Sequence, residues 1–516
     1  MPNPRTPPGS KTSEPPDPGD GQLRLRPPND PARGAGKPLG DADAGPRRTV
    51  ALAVPDARHH LHVVGATGTG KSTLLTNLIL ADAKAGRGVA VLDPKGDLIL
   101  DVLARLPADA AGRLVLIDPV ETDAPAALNV LDTAGRDREL VVDQVVGVFA
   151  RLYAAYWGPR TEDVLRCACL TLTQDPTRAA TLADIPRLLA NPAYRATLTR
   201  GLTDPAGVGG FWTWYDTLTD AGRAQVIGPV MNKLRAVLSR RFAADLLGSA
   251  SSTFNLTDIL DGGILLARLP KGLLGDDTTR LVGSLLLSGL WQAATARASR
   301  PETHRLDAAI YVDECHNFLH LPGSLDDVLA EARGYHLSLV LAHQHLGQLP
   351  RDIADAILAN ARNKALFSVS PDDARVLARH VGPYLTGEDL TRLDRYQLAC
   401  RLVVNGRDTH GFTLVTRPSN TPARDHTGEL RAAARQRGQP VGERRRQELG
   451  RRFTPAAAAD DDDDAGPVCV PVSVPVSLPV SLPVPDTGTD TGSPSRANVH
   501  VNPPPGPAVK DSDSWW

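Results

Sequence analysis

No stretch of the 516 residues reaches the roughly 18 uninterrupted apolar residues that a membrane-spanning helix needs. The opening MPNPRTPPGSKTSEPPDPGD has no apolar core of a secretory leader, so neither insertion nor export is expected. Cysteine is scarce. Cys167, Cys169, Cys315, Cys400 and Cys469 are too scattered for a disulfide framework, and Cys167-Ala-Cys169 has the wrong spacing for a zinc knuckle. A reduced, cytoplasmic chain is the reading that follows. Excess charge is lacking too: a formal net charge of -2 makes no global basic footprint, so nucleic acid would have to meet a local patch or a pore.

Both ends lack apolar periodicity. Residues 1–47 are rich in Pro, Gly, Asp and Arg. From about Pro418 the pattern fades into Arg444-Arg445-Arg446, the run Asp460 to Asp464 and VPVSVPVSLPVSLPVP. Such segments cannot bury enough apolar surface to offset the entropy of ordering, so 1–47 and 419–516 are expected to be disordered. The proline-punctuated repeat favours an extended spacer, because proline removes ladder donors.

Between these ends, short β-branched-rich runs alternate with helix-length segments. LHVVG, GVAVLDP and RLVLIDP each stop at Gly or Asp-Pro, as strands of a parallel sheet with helical crossovers do. Residues 138–250 then read as helix after helix, and the strand pattern resumes with GILLARLP, AAIYVDE, LSLVLAHQ, KALFSVS, QLACRLVV and FTLVTRP. The expected fold is α/β: a RecA-like P-loop domain in two parts, 48–137 and 251–418, with a mainly parallel sheet interrupted by an all-helical insertion over 138–250.

Gly65-Ala66-Thr67-Gly68-Thr69-Gly70-Lys71-Ser72-Thr73 fits G-x-x-x-x-G-K-[ST] and lies after a strand and at the start of a helix, where that motif must lie. Its glycines let backbone N–H groups turn toward the phosphates of ATP, Lys71 reaches the β/γ-phosphates, and the Ser72 hydroxyl takes a Mg²⁺ position. Three strand ends offer the carboxylate that a magnesium nucleotide also needs: Asp93, Asp118 and Asp313. Only Asp313 has a second carboxylate beside it, so Asp313 is assigned to Mg²⁺ and Glu314 to activation of the attacking water. Gln344, at the end of LSLVLAHQ, is expected to sense the γ-phosphate; a surface turn is its plainer alternative. Arg333, by itself, reads as a solvated charge paired with Glu331, Asp326 or Asp327.

Four segments, Gly65 to Ser72, Asp93-Pro94-Lys95-Gly96-Asp97, Ile310 to Glu314 and Arg333-Gly334-Tyr335 with Gln344, resemble the conjugative coupling proteins of type IV secretion, within the FtsK/HerA group of DNA-pumping ATPases. The resemblance spans roughly Val50 to Pro418, and Tyr156 to Arg160, Pro229 to Arg235, Leu269 to Gly272 and Asn360 to Asn363 are further similar fragments. It implies a homohexameric ring with ATP and Mg²⁺ at each subunit boundary, DNA in the central channel and Arg333 as a finger completing the neighbour's site. It also implies a relaxase or type IV secretion components as partners, with the helical insertion at the channel mouth. Membrane-bound members carry transmembrane helices where this chain has a polar, proline-rich segment, so recruitment to the membrane would fall to another protein. The acidic run Asp460 to Asp464 would repel phosphates and suits protein contacts or simple solubilisation.

Lys233, Arg235, Arg240 and Arg241 lie in a helical stretch whose spacing places several charges near one face, as a phosphate-holding stripe or as a solvated surface. The expected function is an ATP-hydrolysing DNA translocase of the coupling type. The alternatives are a cytoplasmic HerA-like translocase working with a nuclease, and an ATPase that remodels or secretes proteins.

Overall fold

Leu61-His62-Val63-Val64 is a strand because it is short, aliphatic and followed at once by glycine, and all four of its residues are buried. It forms the third of a series in the computed structural model, which describes residues 23–25, 31–46, 48–420, 422, 424–438 and 440. These lie in a first compact unit, Met1–Ala456; a second, Ala457–Trp516, is wholly outside the described residues.

The strands are β1 Lys37–Ala42, β2 Thr49–Leu52, β3 Leu61–Val64, β4 Gly88–Asp93, β5 Leu114–Ile117, β6 Ile264–Arg268, β7 Ala308–Val312, β8 Leu337–His343, β9 Asn363–Leu366, β10 Gln397–Arg401, β11 Val403–Val404, β12 Arg407–Asp408 and β13 Phe412–Val415. Eleven of them make one sheet in the order β2-β1-β13-β10-β9-β3-β8-β7-β4-β6-β5, and β11 pairs with β12. From β9 to β5 every pairing is parallel; from β9 to β2 every pairing is antiparallel. The interior strands β4, β7 and β8 are buried along their whole length, as strands covered on both faces must be. Each strand read from the sequence is present, and the mixed, mainly parallel α/β fold is as expected.

Alternate residues of one strand feed two cores. Val89 and Val91 of β4 join the face covered by the helix Lys71–Lys84, whereas Ala90 and Leu92 join the opposite face. That second face carries the connection from β5 to β6, which contains helices and no strand. Arg138–Leu152 begins where Asp137 accepts hydrogen bonds from the backbone of Glu139 and Leu140, and Pro159–Leu172 and Asp220–Leu238 are its other long helices. Val145 and Phe149, Val164 and Ala168, and Val230 and Leu234 all share one apolar cluster with Leu92 and Ile117. The helical segment therefore packs into the same core as the sheet.

Both expected tails need narrower bounds. Residues 37–42, inside the segment read as disordered to 47, form β1 because its polar side chains find charged partners: Lys37 pairs with buried Asp82 at 2.8 Å, and Asp41 with Arg417, whose Nε donates at 2.8 Å. Downstream of 419, Thr427–Arg437 is a helix although only Leu430 is buried in it. Charge holds it. Arg431 pairs with Asp118 at 3.0 Å and Glu121 at 2.5 Å, and Arg435 reaches Glu121 at 3.0 Å. Apolar periodicity is blind to elements fastened this way. The rest of both tails, including Arg444 to Arg446, Asp460 to Asp464 and the VPVS repeat, lies outside the described residues. Cys167, Cys169, Cys315 and Cys400 are buried and free, Cys469 lies outside the described residues, and no described helix is long and apolar enough to cross a membrane.

Asp118, whose side chain is fully buried, receives Arg268 on Oδ1 at 3.0 Å and Arg431 on Oδ2 at 3.0 Å. Asp118→Asn leaves both guanidinium groups without their shared carboxylate, and it should lower the unfolding free energy in urea by about 3 kcal/mol. A change below about 0.5 kcal/mol, the range of ordinary surface substitutions, would show that the carboxylate does not fasten the C-terminal helix.

Candidate functional site

Parallel pairing brings the C-terminal ends of β3, β8, β7, β4, β6 and β5 to one rim of the sheet. Val64 lies opposite His343, Leu341 opposite Val312, and Val312 opposite Leu92, so the residues that follow these strands are neighbours. On that rim sit Gly65 to Thr73, Gln344, Asp313 with Glu314, the Asp93 to Asp97 loop, Arg268 and Asp118.

The loop after β3 ends at Gly70, which caps the helix Lys71–Lys84 with φ 124, a conformation side chains rarely adopt. A Cβ there would also stand 3.1 Å from the Phe367 ring and 3.0 Å from that of Tyr396. The helix N-terminus points its free N–H groups and positive dipole end into the loop. Lys71 donates to the carbonyl oxygens of Gly65 at 2.5 Å and Ala66 at 3.0 Å, and burial lowers its pKa, with Glu314 and Asp313 acting against that. Ser72 is exposed at the start of the helix.

Asp313 is buried, and its pKa is raised to about 7 by desolvation and by the neighbouring charges of Asp93 and Glu314. Such a carboxylate calls for a cation. Among the described residues no group of three or more His, Cys, Asp or Glu could hold a metal alone. Ser72, at the helix start, and Asp313, at the end of β7, are the oxygen donors on this rim that could serve a nucleotide-bound Mg²⁺, which takes one or two protein oxygens and leaves the remaining positions to phosphate and water. Asp93 and Asp118, the other strand-end carboxylates, are committed. Asp93 accepts from the backbone N–H groups of Lys95 at 2.8 Å and Ile99 at 3.2 Å, and Asp118 holds its two arginines.

Glu314 has φ 44 and ψ 55, a left-handed conformation that costs a non-glycine residue about 1–3 kcal/mol and turns its side chain back over the rim. Its carbonyl oxygen accepts from the Asn317 side chain at 2.7 Å, which secures the turn. Gln344 links two parts of the site: its Oε1 accepts from the Thr67 hydroxyl at 3.0 Å, and its Nε2 donates to Glu314 Oε1 at 2.5 Å. Lys95 donates to the same Oε1 at 2.5 Å. Burial works to raise the Glu314 pKa, but the hydrogen bonds from Lys95 and Gln344 and the charges of Lys95 and Lys71 outweigh it and hold the carboxylate ionised.

Lys95 is the residue whose place in the site the sequence reading missed. DPKGD drew notice as a fragment, yet contact with Glu314 needs β4 and β7 to be adjacent, and more than 200 residues of chain separate them.

Arg333 is at the other end. It lies exposed in the turn Ala332–Tyr335 that enters β8, a strand of 7 residues and hence roughly 23 Å long, so it cannot reach its own phosphate loop. The plainer expectation of pairing with Glu331, Asp326 or Asp327 is corrected: no ion pair of Arg333 is found among the described residues, and Asp326 accepts from Asn360 at 2.6 Å instead.

The expected basic residues do not share one continuous helix. The helix carrying Lys233 and Arg235 ends at Leu238, and Arg240 caps a separate helix, Arg241–Leu247. Lys233 lies over the rings of Tyr153 at 5.6 Å and Trp157 at 5.9 Å, and Arg241 pairs with Asp245 at 3.5 Å. Sequence spacing placed these charges on one continuous helix that the chain breaks at Ser239.

Residues 307–395 match the family model of the TraM recognition site of TraD and TraG. That segment carries β7, Asp313 and Glu314, Arg333 and Gln344. The resemblance to the conjugative coupling proteins is borne out. The fold is similar to that of plasmid coupling protein TrwB in complex with the GTP analogue GDPNP, at 18% identity over 73% of this chain and 90% of that one, with a TM-score of 0.52. It is also similar to the unbound coupling protein TrwBdeltaN70, at 14% identity over 75% and 98%, TM-score 0.52, and to TrwB with ADP and Mg²⁺, at 17% over 72% and 88%, TM-score 0.50. At these identities the structures establish a shared coupling-protein fold and nothing finer. No curated protein matches the sequence.

Glu314→Gln removes the one ionised side chain that faces both Gln344 and Lys95 without changing its size. The variant should bind a fluorescent ATP analogue as the wild type does and hydrolyse ATP at least about a hundredfold more slowly. Wild-type turnover would place the base elsewhere.

Proposed function

We propose that this chain is an ATP-hydrolysing DNA translocase of the coupling type, working as a ring of six. The observation that carries the reading is the Thr67–Gln344–Glu314 bridge, which ties the phosphate loop to the carboxylate that would take a proton. In this reading, Gly65 to Thr73 cradle the phosphates and Lys71 balances charge on the β/γ oxygens. Ser72 and Asp313 hold Mg²⁺, which supplies further neutralisation of the phosphate oxygens when bound. Glu314 orients the attacking water and accepts its proton. Gln344 feels whether a γ-phosphate is present, because Thr67 and Glu314 both depend on it.

Arg333 completes a neighbouring subunit's site. Its exposure at the N-terminal end of β8, a sheet's length from its own loop, supports action in trans and hence the ring. DNA in the channel, the use of ATP energy for its movement and a role in conjugative transfer come from the likeness to coupling proteins. The match of 307–395 to the TraM recognition site of TraD and TraG supports a protein partner docking on that segment.

Steady-state hydrolysis by the purified full chain, with and without single- and double-stranded DNA at two salt concentrations, tests the reading. Stimulation by DNA that weakens with salt, as counterion release requires, and that rises steeply with protein concentration is expected. Turnover indifferent to DNA would hand the lead to protein remodelling.

A further inference from the structure

Resting on the hydrolase reading above, we propose that Lys95 is the positioning residue of Glu314: with Gln344, which also holds Thr67 of the phosphate loop, it captures Oε1 and fixes the orientation of the carboxylate. The two Glu314 oxygens are not equivalent. Oε1 accepts two hydrogen bonds at 2.5 Å, one from Lys95 and one from Gln344. Oε2 is buried and accepts none, with His316 Nδ1 at 3.9 Å, beyond hydrogen-bond reach. A carboxylate tied at one oxygen by two donors cannot rotate without losing both. Its orientation is thus set by Lys95 and Gln344 together.

The lysine is itself held in place, which a positioning role requires. Its backbone N–H is fixed by Asp93, and Gly96 beside it has φ 95, so the loop turns sharply toward β7. A side chain at Gly96 would collide with Arg268, whose Nε lies 2.8 Å from the place of a Cβ. Arg268 is pinned in turn by Asp118, and Asp118 by Arg431 of the C-terminal helix. The ammonium reaches Glu314 from the solvent side, with 49% of its side chain exposed against 4% for the glutamate, so removing it opens no core cavity. Gln344 gives the carboxylate a neutral donor; Lys95 gives it a charged one, and a charged donor makes the stronger hydrogen bond.

A second reading competes. The same ammonium could instead swing to a γ-phosphate and act as a further phosphate ligand. The two differ in kinetics: a positioning residue acts through Glu314 on the chemical step, whereas a phosphate ligand acts on nucleotide affinity.

The test uses the full chain with DNA and compares wild type, Lys95→Met, Lys95→Arg, Glu314→Gln and the double variant Lys95→Met/Glu314→Gln. Each is measured for kcat, KM and affinity for a fluorescent ATP analogue. Lys95→Met should lower kcat about tenfold or more with analogue affinity within about twofold of wild type, and Lys95→Arg should recover most of the loss. In the Glu314→Gln background, Lys95→Met should change the residual rate by less than about twofold, because the group it acts through is already gone. Independent, multiplying losses in the double variant would overturn the proposal, as would a weakened analogue affinity with kcat unchanged. A wild type that hydrolyses no ATP would instead overturn the hydrolase reading and this inference with it. An active wild type alongside a fully active Lys95→Met would overturn this inference alone.

Discussion

Parallel pairing of β9, β3, β8, β7, β4, β6 and β5 obliges every loop that follows these strands to leave from one rim, and the candidate site is a consequence of that constraint. Residues far apart in the chain become neighbours there because their strands are. Negative charge accumulates as a result: Asp93, Asp313 and Glu314 meet within one set of loops, with Lys71 and Lys95 as the cations facing them. The raised pKa of Asp313 and the lowered pKa of Glu314 are two outcomes of one distribution. Lys95 and Gln344 serve Glu314, and Asp313 is left with desolvation and like charge. That imbalance suits a divalent cation on Asp313 and a base on Glu314.

The rim continues past the Asp313–Glu314 pair. Arg268 leans on the Gly96 turn, Asp118 holds Arg268, and Arg431 and Arg435 bring in the C-terminal helix through Asp118 and Glu121. Contacts thus run from the edge strand β5 to the Gly96 turn beside Lys95. At the opposite end of the sheet Arg333 is exposed, and no ion pair of its guanidinium is found among the described residues.

Much of this was legible in the sequence wherever local pattern and local chemistry coincide. LHVV followed by GATGTGKST carries its own strand, turn and helix start, and AIYVDE shows both a buried strand and the doubled carboxylate. What escaped depends on strand order or on charge. No local pattern tells that β4 lies beside β7, so Lys95 remained part of a fragment without a role. The strand Lys37–Ala42 and the helix Thr427–Arg437 are fastened by ion pairs with residues tens to hundreds of positions away, and each looks like polar linker on its own. Conversely, Lys233, Arg235, Arg240 and Arg241 looked like one stripe because spacing cannot reveal that a helix stops at Leu238.

In the proposed ring each site is shared between subunits, with the phosphate loop and Glu314 from one copy and Arg333 from the next. Mixing wild-type chains with Arg333→Ala chains in increasing proportion, and following ATP hydrolysis at constant total protein, measures this directly. Each variant chain should silence its neighbour's site, and in a coordinated ring activity should fall faster than the wild-type fraction. A loss strictly proportional to the variant fraction, or Arg333→Ala rings with full activity, would contradict it.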